Sequence, residues 1–148
     1  MAAPRAIQVF NRQRAVKLDL PWLRRLATLA LAGMEGEGII KGTALENLRE
    51  IDVTILSDRA IARIHRDFMD IPGPTDVLTF EHGEILISAQ TAAKYAEEFH
   101  HPLPHELLLY IIHGLLHLDG YDDLKEPAAA LMKKTQSEIL RRTLAAFR

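Results

Sequence analysis

Ile7 and Val9 alternate with polar neighbours, the period-two pattern of a half-buried strand, and predict that the ordered chain opens on one. Asp19 followed by Pro21 then marks a helix start, and Leu23, Leu26, Ala27 and Ala30 recur behind it at helical spacing. The glycine-rich stretch 33–42 reads as a loop inside one domain. Ile51, Val53 and Ile55 point one way while Asp52 and Thr54 point the other, giving a second strand that stops at Ser57-Asp58, a natural helix cap. Ile61, Ile64 and Phe68 mark the face of the helix that follows, and Pro72, Gly73 and Pro74 break it. Two further strands, 77–80 and 84–88, flank a His82-Gly83 turn in a hairpin.

The second half of the chain changes period. Ala92, Ala93 and Ala96 support a helix to about residue 99, and Pro104 opens a strongly apolar helix to about residue 118 that Gly120 can terminate. Pro127 starts a last amphipathic helix through Leu131, Ile139 and Leu144, with Lys133, Lys134, Arg141 and Arg142 solvated. Four strands mixed with helices, then a helical C-terminal half, indicate an α/β or α+β sandwich. A chain of 148 residues with 48% hydrophobic content is expected to form one domain, 1–148, around one core. No repeat or low-complexity tract divides it.

Composition narrows the chemistry. With no cysteine, only His, Asp and Glu remain as strong metal ligands, and thiolate sites, disulfides and cysteine nucleophiles are excluded. The formal net charge of −2 means that a nucleic-acid partner would have to be met by a local patch. The densest basic run is Arg12, Arg14, Lys17, Arg24 and Arg25, with Phe10 and Trp22 interleaved. No apolar stretch approaches the ~20 residues of a spanning helix, so neither export nor a membrane partner is expected.

His113 and His117 lie four apart on the apolar helix, which puts both imidazoles on one face about a turn apart, where two nitrogens can bind one ion. Gly114 between them is expected to keep one side of that helix open, and Gly120 lets the chain fold back so that a carboxylate can reach the same ion. Asp123 is the best-placed third ligand; Asp119 and Asp122 are its rivals, one of them suited to orienting a ligand histidine. As core histidines the pair would each need a buried partner, whereas one divalent ion, taken as Zn²⁺, satisfies both. Such a three-ligand site leaves a position for water and performs hydrolysis. In the His-Glu-x-x-His metallopeptidases the residue after the first histidine is the general base; here it is Gly114.

The segment 113–123 resembles the signature of the YbeY family of rRNA-maturation endoribonucleases, His-Gly-x-Leu-His-Leu-x-Gly-Tyr-Asp-His, and departs from it only at Asp123. Pro74-Thr-Asp-Val-Leu-Thr-Phe80 resembles that family's Pro-Thr-Asp-Val-Leu-Ser-Phe, and Gly83-Glu84-Ile85 its Gly-Asp-Ile. The likeness covers roughly residues 51–139. It implies a cytoplasmic enzyme of the zinc-hydrolase-like α+β class, a mixed four-stranded sheet packed with about five helices. It also implies a bound zinc-like ion and action on single-stranded RNA in rRNA processing and ribosome quality control, with the ribosome or its proteins as partners and no DNA.

Asp123 replaces a neutral ligand by an anionic one, which should make bound water less acidic and suit Mn²⁺ as well as Zn²⁺. Met69 stands where the family carries an arginine, and Arg63 or Arg66 are the nearby substitutes. Glu84 and His82 are the candidate proton carriers, and Thr75 and Asp76 are expected in a turn or loop beside the site, where Asp76 caps backbone amides. Three readings stand: a single-strand endoribonuclease, a metallopeptidase-like hydrolase, and a metal-stabilised ribosome-binding module that does not cut. Because the ligands share one helix and the turn after it, the domain is expected to fold without metal and to gain thermal stability with it.

Overall fold

The computed structural model describes residues 4–70 and 75–147. The expected break at residues 72–74 lies outside them. β1 (Ala6–Asn11), β2 (Glu50–Leu56), β3 (Val77–Phe80) and β4 (Glu84–Ser88) form one sheet in the order β1-β2-β4-β3. β1, β2 and β4 run parallel, with Val9 opposite Val53 and Val53 opposite Ile85. β3 returns antiparallel on β4 as the hairpin expected around His82-Gly83, and forms an edge of the sheet. The sheet is therefore mixed.

Helices cover the two faces unequally. α1 (Leu20–Glu37), α4 (Ala89–Glu98), α5 (Leu103–Leu118) and α6 (Ala128–Ala146) share a core with Val9, Ile51, Val53, Ile55, Ile85 and Ile87. α3 (Asp58–Met69) lies over a smaller cluster of Leu56, Ile61, Leu78 and Leu86. The caps are those the sequence announces: Asp19 accepts from the Trp22 amide, Ser57 from Ala60 and Ser88 from Thr91.

Three expectations are corrected and one element is added. α1 does not stop at Gly33; it continues to Glu37, because Leu31 and Met34 extend its buried stripe and burial outweighs the roughly 1 kcal/mol cost of a helical glycine. A short helix that the hydrophobic pattern does not announce, α2 (Ala44–Asn47), follows the expected loop; Thr43 caps it by accepting from the Glu46 amide. Phe68 is 74% exposed, since α3 closes over too narrow a core to bury its last turn. On α6 the buried residues are Met132, Ile139 and Thr143, and Leu131 faces solvent. Lys133, Lys134, Arg141 and Arg142 are exposed as expected.

Candidate metal centre and its cleft

α5 is apolar on nearly every side because it lies between the sheet and the other helices: Leu107, Leu108, Ile111, Ile112, Leu115 and Leu116 are all buried. His113 and His117 occupy its one half-exposed stripe. Gly114 does not keep a side of the helix open. A Cβ there would lie 2.8 Å from both Cγ2 and Cδ1 of Ile85, so the missing side chain lets α5 seat directly on β4. A glutamate at this position would need space that the sheet occupies, which removes the metallopeptidase arrangement.

Past Leu118 the chain turns sharply. The Tyr121 amide donates to the Leu116 carbonyl (2.9 Å) and the Gly120 amide to that of His117 (3.1 Å), a Schellman stop with Gly120 at φ +93°. That turn brings Asp123 back over the histidines. The Nε2 atoms of His113 and His117 are 3.1 Å apart, and Asp123 Oδ2 lies 3.3 Å from the first and 3.6 Å from the second.

The far side of each ring decides which proton it carries. His117 Nδ1 lies 3.2 Å from the Tyr121 carbonyl oxygen, which only accepts, so His117 donates there. His113 Nδ1 donates in the same way to Gln136 Oε1, 2.8 Å away on α6. In the neutral rings both Nε2 atoms then present lone pairs to each other and to a carboxylate oxygen, an arrangement that calls for a cation between them. The spacing suits one: ligand atoms bonded at ~2.0–2.1 Å around a tetrahedral ion are about 3.3–3.4 Å apart, and the three observed separations bracket that value. Among the described residues, His113, His117 and Asp123 form the one group of three or more such side chains able to share an ion.

The rivals have other duties. Asp119 is buried and accepts from the Ile40 amide at 2.9 Å; burial holds its carboxyl above the usual range, against the opposing pull of that amide and of Arg5. Asp122 accepts from the Leu124 amide. The histidine-orienting role expected of one of them falls to Gln136 and the Tyr121 carbonyl. Gln136 was readable in principle, as a polar residue between Met132 and Ile139 on the apolar stripe of α6.

His117 and Asp123 open into a cavity of about 520 Å³. It runs along β3, with His65 and Met69 of α3 on one side and Leu124 on the other. Thr75, Thr79 and Glu81 also line it. Met69 thus stands on the cleft wall, while Arg63 and Arg66 are exposed on α3 and absent from the lining. Glu84 is absent too: its carboxylate faces His82 Nε2 at 3.2 Å on the exposed hairpin turn. Asp76 does cap backbone, accepting from the Val77 amide at 2.8 Å. The basic run lies elsewhere, with Arg12 over the Phe10 ring and Arg24 bonded to the Val9 carbonyl at the β1 edge, the opposite side of the sheet from β3. The Tyr110 phenol is held far above its ordinary range by burial, with Glu106 and Asp76 adding to the effect, and stays neutral.

Among the described residues, no helix is long and apolar enough to cross a membrane. The family profile described as Endoribonuclease YbeY matches residues 8–144. The chain is 31% identical to Endoribonuclease YbeY of Heliobacterium modesticaldum over 86% of this chain and 87% of that one. It is 32% identical to the protein of the same name from Moorella thermoacetica, over 88% and 92%. The solution structure of TM1509 from Thermotoga maritima superposes with a TM-score of 0.64 at 26% identity, covering 96% of this chain and 91% of that one. Profile, relatives and fold agree with the motifs of segments 113–123 and 74–80: the chain belongs to the YbeY family of endoribonucleases.

Proposed function

We propose that this protein is a single-strand-specific endoribonuclease acting in rRNA maturation and ribosome quality control in the cytoplasm, on or near the ribosome, with one Zn²⁺ held by His113, His117 and Asp123. The observation that carries the reading is the convergence of three ligand atoms within 4.8 Å of one another at the mouth of an open cleft. When bound, a divalent ion supplies Lewis-acid polarisation of a phosphate and a more acidic water.

The remaining work belongs to the chain. Gln136 and the Tyr121 carbonyl fix the tautomers of the two histidines, so that both Nε2 atoms face the ion without rotating. Asp123 brings a negative charge that lowers the net charge of the loaded site and opens it to Mn²⁺ as well. The proton acceptor is assigned to Glu81 in place of Glu84, because Glu81 lines the cleft and Glu84 is engaged with His82 outside it. A metal-stabilised module that binds ribosomal components without cutting is the second reading, favoured by the methionine on the cleft wall.

The test is cleavage of labelled single-stranded RNA by metal-loaded protein beside His117→Ala. The expected loss in the variant exceeds about 100-fold, as befits removal of an ion's direct ligand, with the fold retained. Glu81→Gln should lower kcat and Glu84→Gln should not. Intact RNA after incubation with metal-loaded wild type, or equal cutting by His117→Ala, would remove the nuclease reading in favour of the binding module.

A further inference from the structure

Beside the metal cleft lies a second cavity, of about 390 Å³, lined by Asp58, Thr75, Asp76, Thr91, Lys94 and Tyr95. Thr75 belongs to both linings, and Asp76 on the one side is followed by Val77 on the other, so the stretch 75–77 is a common wall. A chain laid along the metal cleft reaches this cavity by crossing that wall. Lys94 is the one lysine or arginine in either lining, and it forms no ion pair among the described residues; its ammonium sits 6.0 Å from the centroid of the Tyr95 ring. Tyr95 and Phe99, one turn apart on α4 and its C-cap, hold their rings 6.0 Å apart at 20°, and Phe99 is 63% exposed.

The floor of the cavity is acidic in a directed way. Asp58 uses Oδ1 to accept from the hydroxyls of Ser88 and Thr91, and Asp76 uses Oδ1 for the Val77 amide and the Thr75 hydroxyl. Each carboxylate keeps its second oxygen free of hydrogen bonds among the described residues. Two anionic acceptors disfavour a phosphate inside the cavity but suit the amino edge of a base, as carboxylates accept from the cytosine N4 amino group. An exposed aromatic beside an unneutralised lysine is the arrangement that holds single-stranded nucleic acid.

We propose that this cavity is the subsite for the nucleotide flanking the cleaved phosphodiester: Tyr95 stacks on its base, Lys94 holds its phosphate at the rim, and Asp58 and Asp76 accept from an amino-bearing base edge. The inference rests on the endoribonuclease reading and adds to it a base preference, cytosine or adenine over uracil, because uracil has no exocyclic amino group.

Cleavage kinetics of metal-loaded full-length protein on short single-stranded RNA test it, comparing wild type with Tyr95→Ala, Tyr95→Trp and Lys94→Gln, all checked by circular dichroism. Tyr95→Ala should raise KM roughly tenfold or more, as expected for loss of one base stack, with kcat nearly unchanged and with rescue by Tyr95→Trp. Lys94→Gln should raise KM and flatten the dependence of log KM on log salt by about 0.7, the value of one single-strand phosphate contact. Wild type should cut oligocytidylate or oligoadenylate with a lower KM than oligouridylate. If wild type cuts RNA but both variants keep its KM, the subsite is refuted while the nuclease stands; equal KM for all three homopolymers refutes the assignment of the carboxylates. If wild type cuts nothing, the endoribonuclease reading fails and the subsite falls with it.

Discussion

The two faces of the sheet are built to different depths. On one, α1, α4 and α5 pack with Ile51, Val53, Ile55, Ile85 and Ile87 in a continuous core, and α6 closes over α1 and α5. On the other, α3 adds Ile61 to only three buried sheet residues and leaves Phe68 and Met69 at its end 74% and 44% exposed. The deep face carries His113 and His117; the shallow one supplies the outer wall of the cleft. Ligand atoms must be held to a few tenths of an ångström, which needs side chains locked by packing, whereas a wall that admits a polymer is served by a region with few buried contacts.

The comparison can be broken first at its stiffest point. Gln136→Leu removes the acceptor that orients His113 without emptying the core, and metal affinity should fall roughly 10–100-fold with helical content unchanged. Competition against a chromophoric chelator measures it, and undiminished affinity would mean that α6 does not support the site. Gly114→Ala tests the seating of α5 on β4. It should cost about 1–3 kcal/mol in urea unfolding, since the new methyl meets Ile85 at its branched Cγ2 as well as at its terminal carbon; a loss below about 0.5 kcal/mol would show that the contact is loose.

Asp119 offers a smaller, signed effect on the same face. Its carboxyl is raised above the ordinary range, chiefly by burial, so the folded state holds this proton more tightly than the unfolded one. The unfolded chain binds fewer protons, and stability falls as pH rises from about 4 toward the raised value, then levels. In Asp119→Asn, which can still accept from Ile40, that decline should be missing, so the difference between the two stability-versus-pH curves should show it; parallel curves would contradict it. The smallest effect is expected on the shallow face. Phe68→Ser should change stability by no more than about 0.5 kcal/mol, and a larger loss would mean that α3 is better buried than its exposure indicates.

Local signals were legible where a few neighbouring residues decide the outcome. Asp19, Ser57 and Ser88 were identifiable as helix starts because a cap needs only its own side chain and the next turn. The pair His113 and His117 was legible for the same reason, as was the turn at Gly120. Glu84 could be placed on its strand but not relative to the cleft, because position along a strand does not say where the cleft will open. Phe68 and Leu131 were misread because helical period alone does not say how wide a face the rest of the fold will cover.

Taken alone, the sequence determined the order of the strands and long helices, the absence of thiolate chemistry and the segment 113–123, with its two histidines and Asp123, and its family. Each depends on residue type, short spacing or a contiguous motif. Only the tertiary structure decided that Gln136 of α6 orients His113, that Gly114 is pressed against Ile85, and that Thr75 is shared by two adjoining cavities. Those relations join residues remote in the chain or set by packing, and they come into being only when the sheet and helices close on one core.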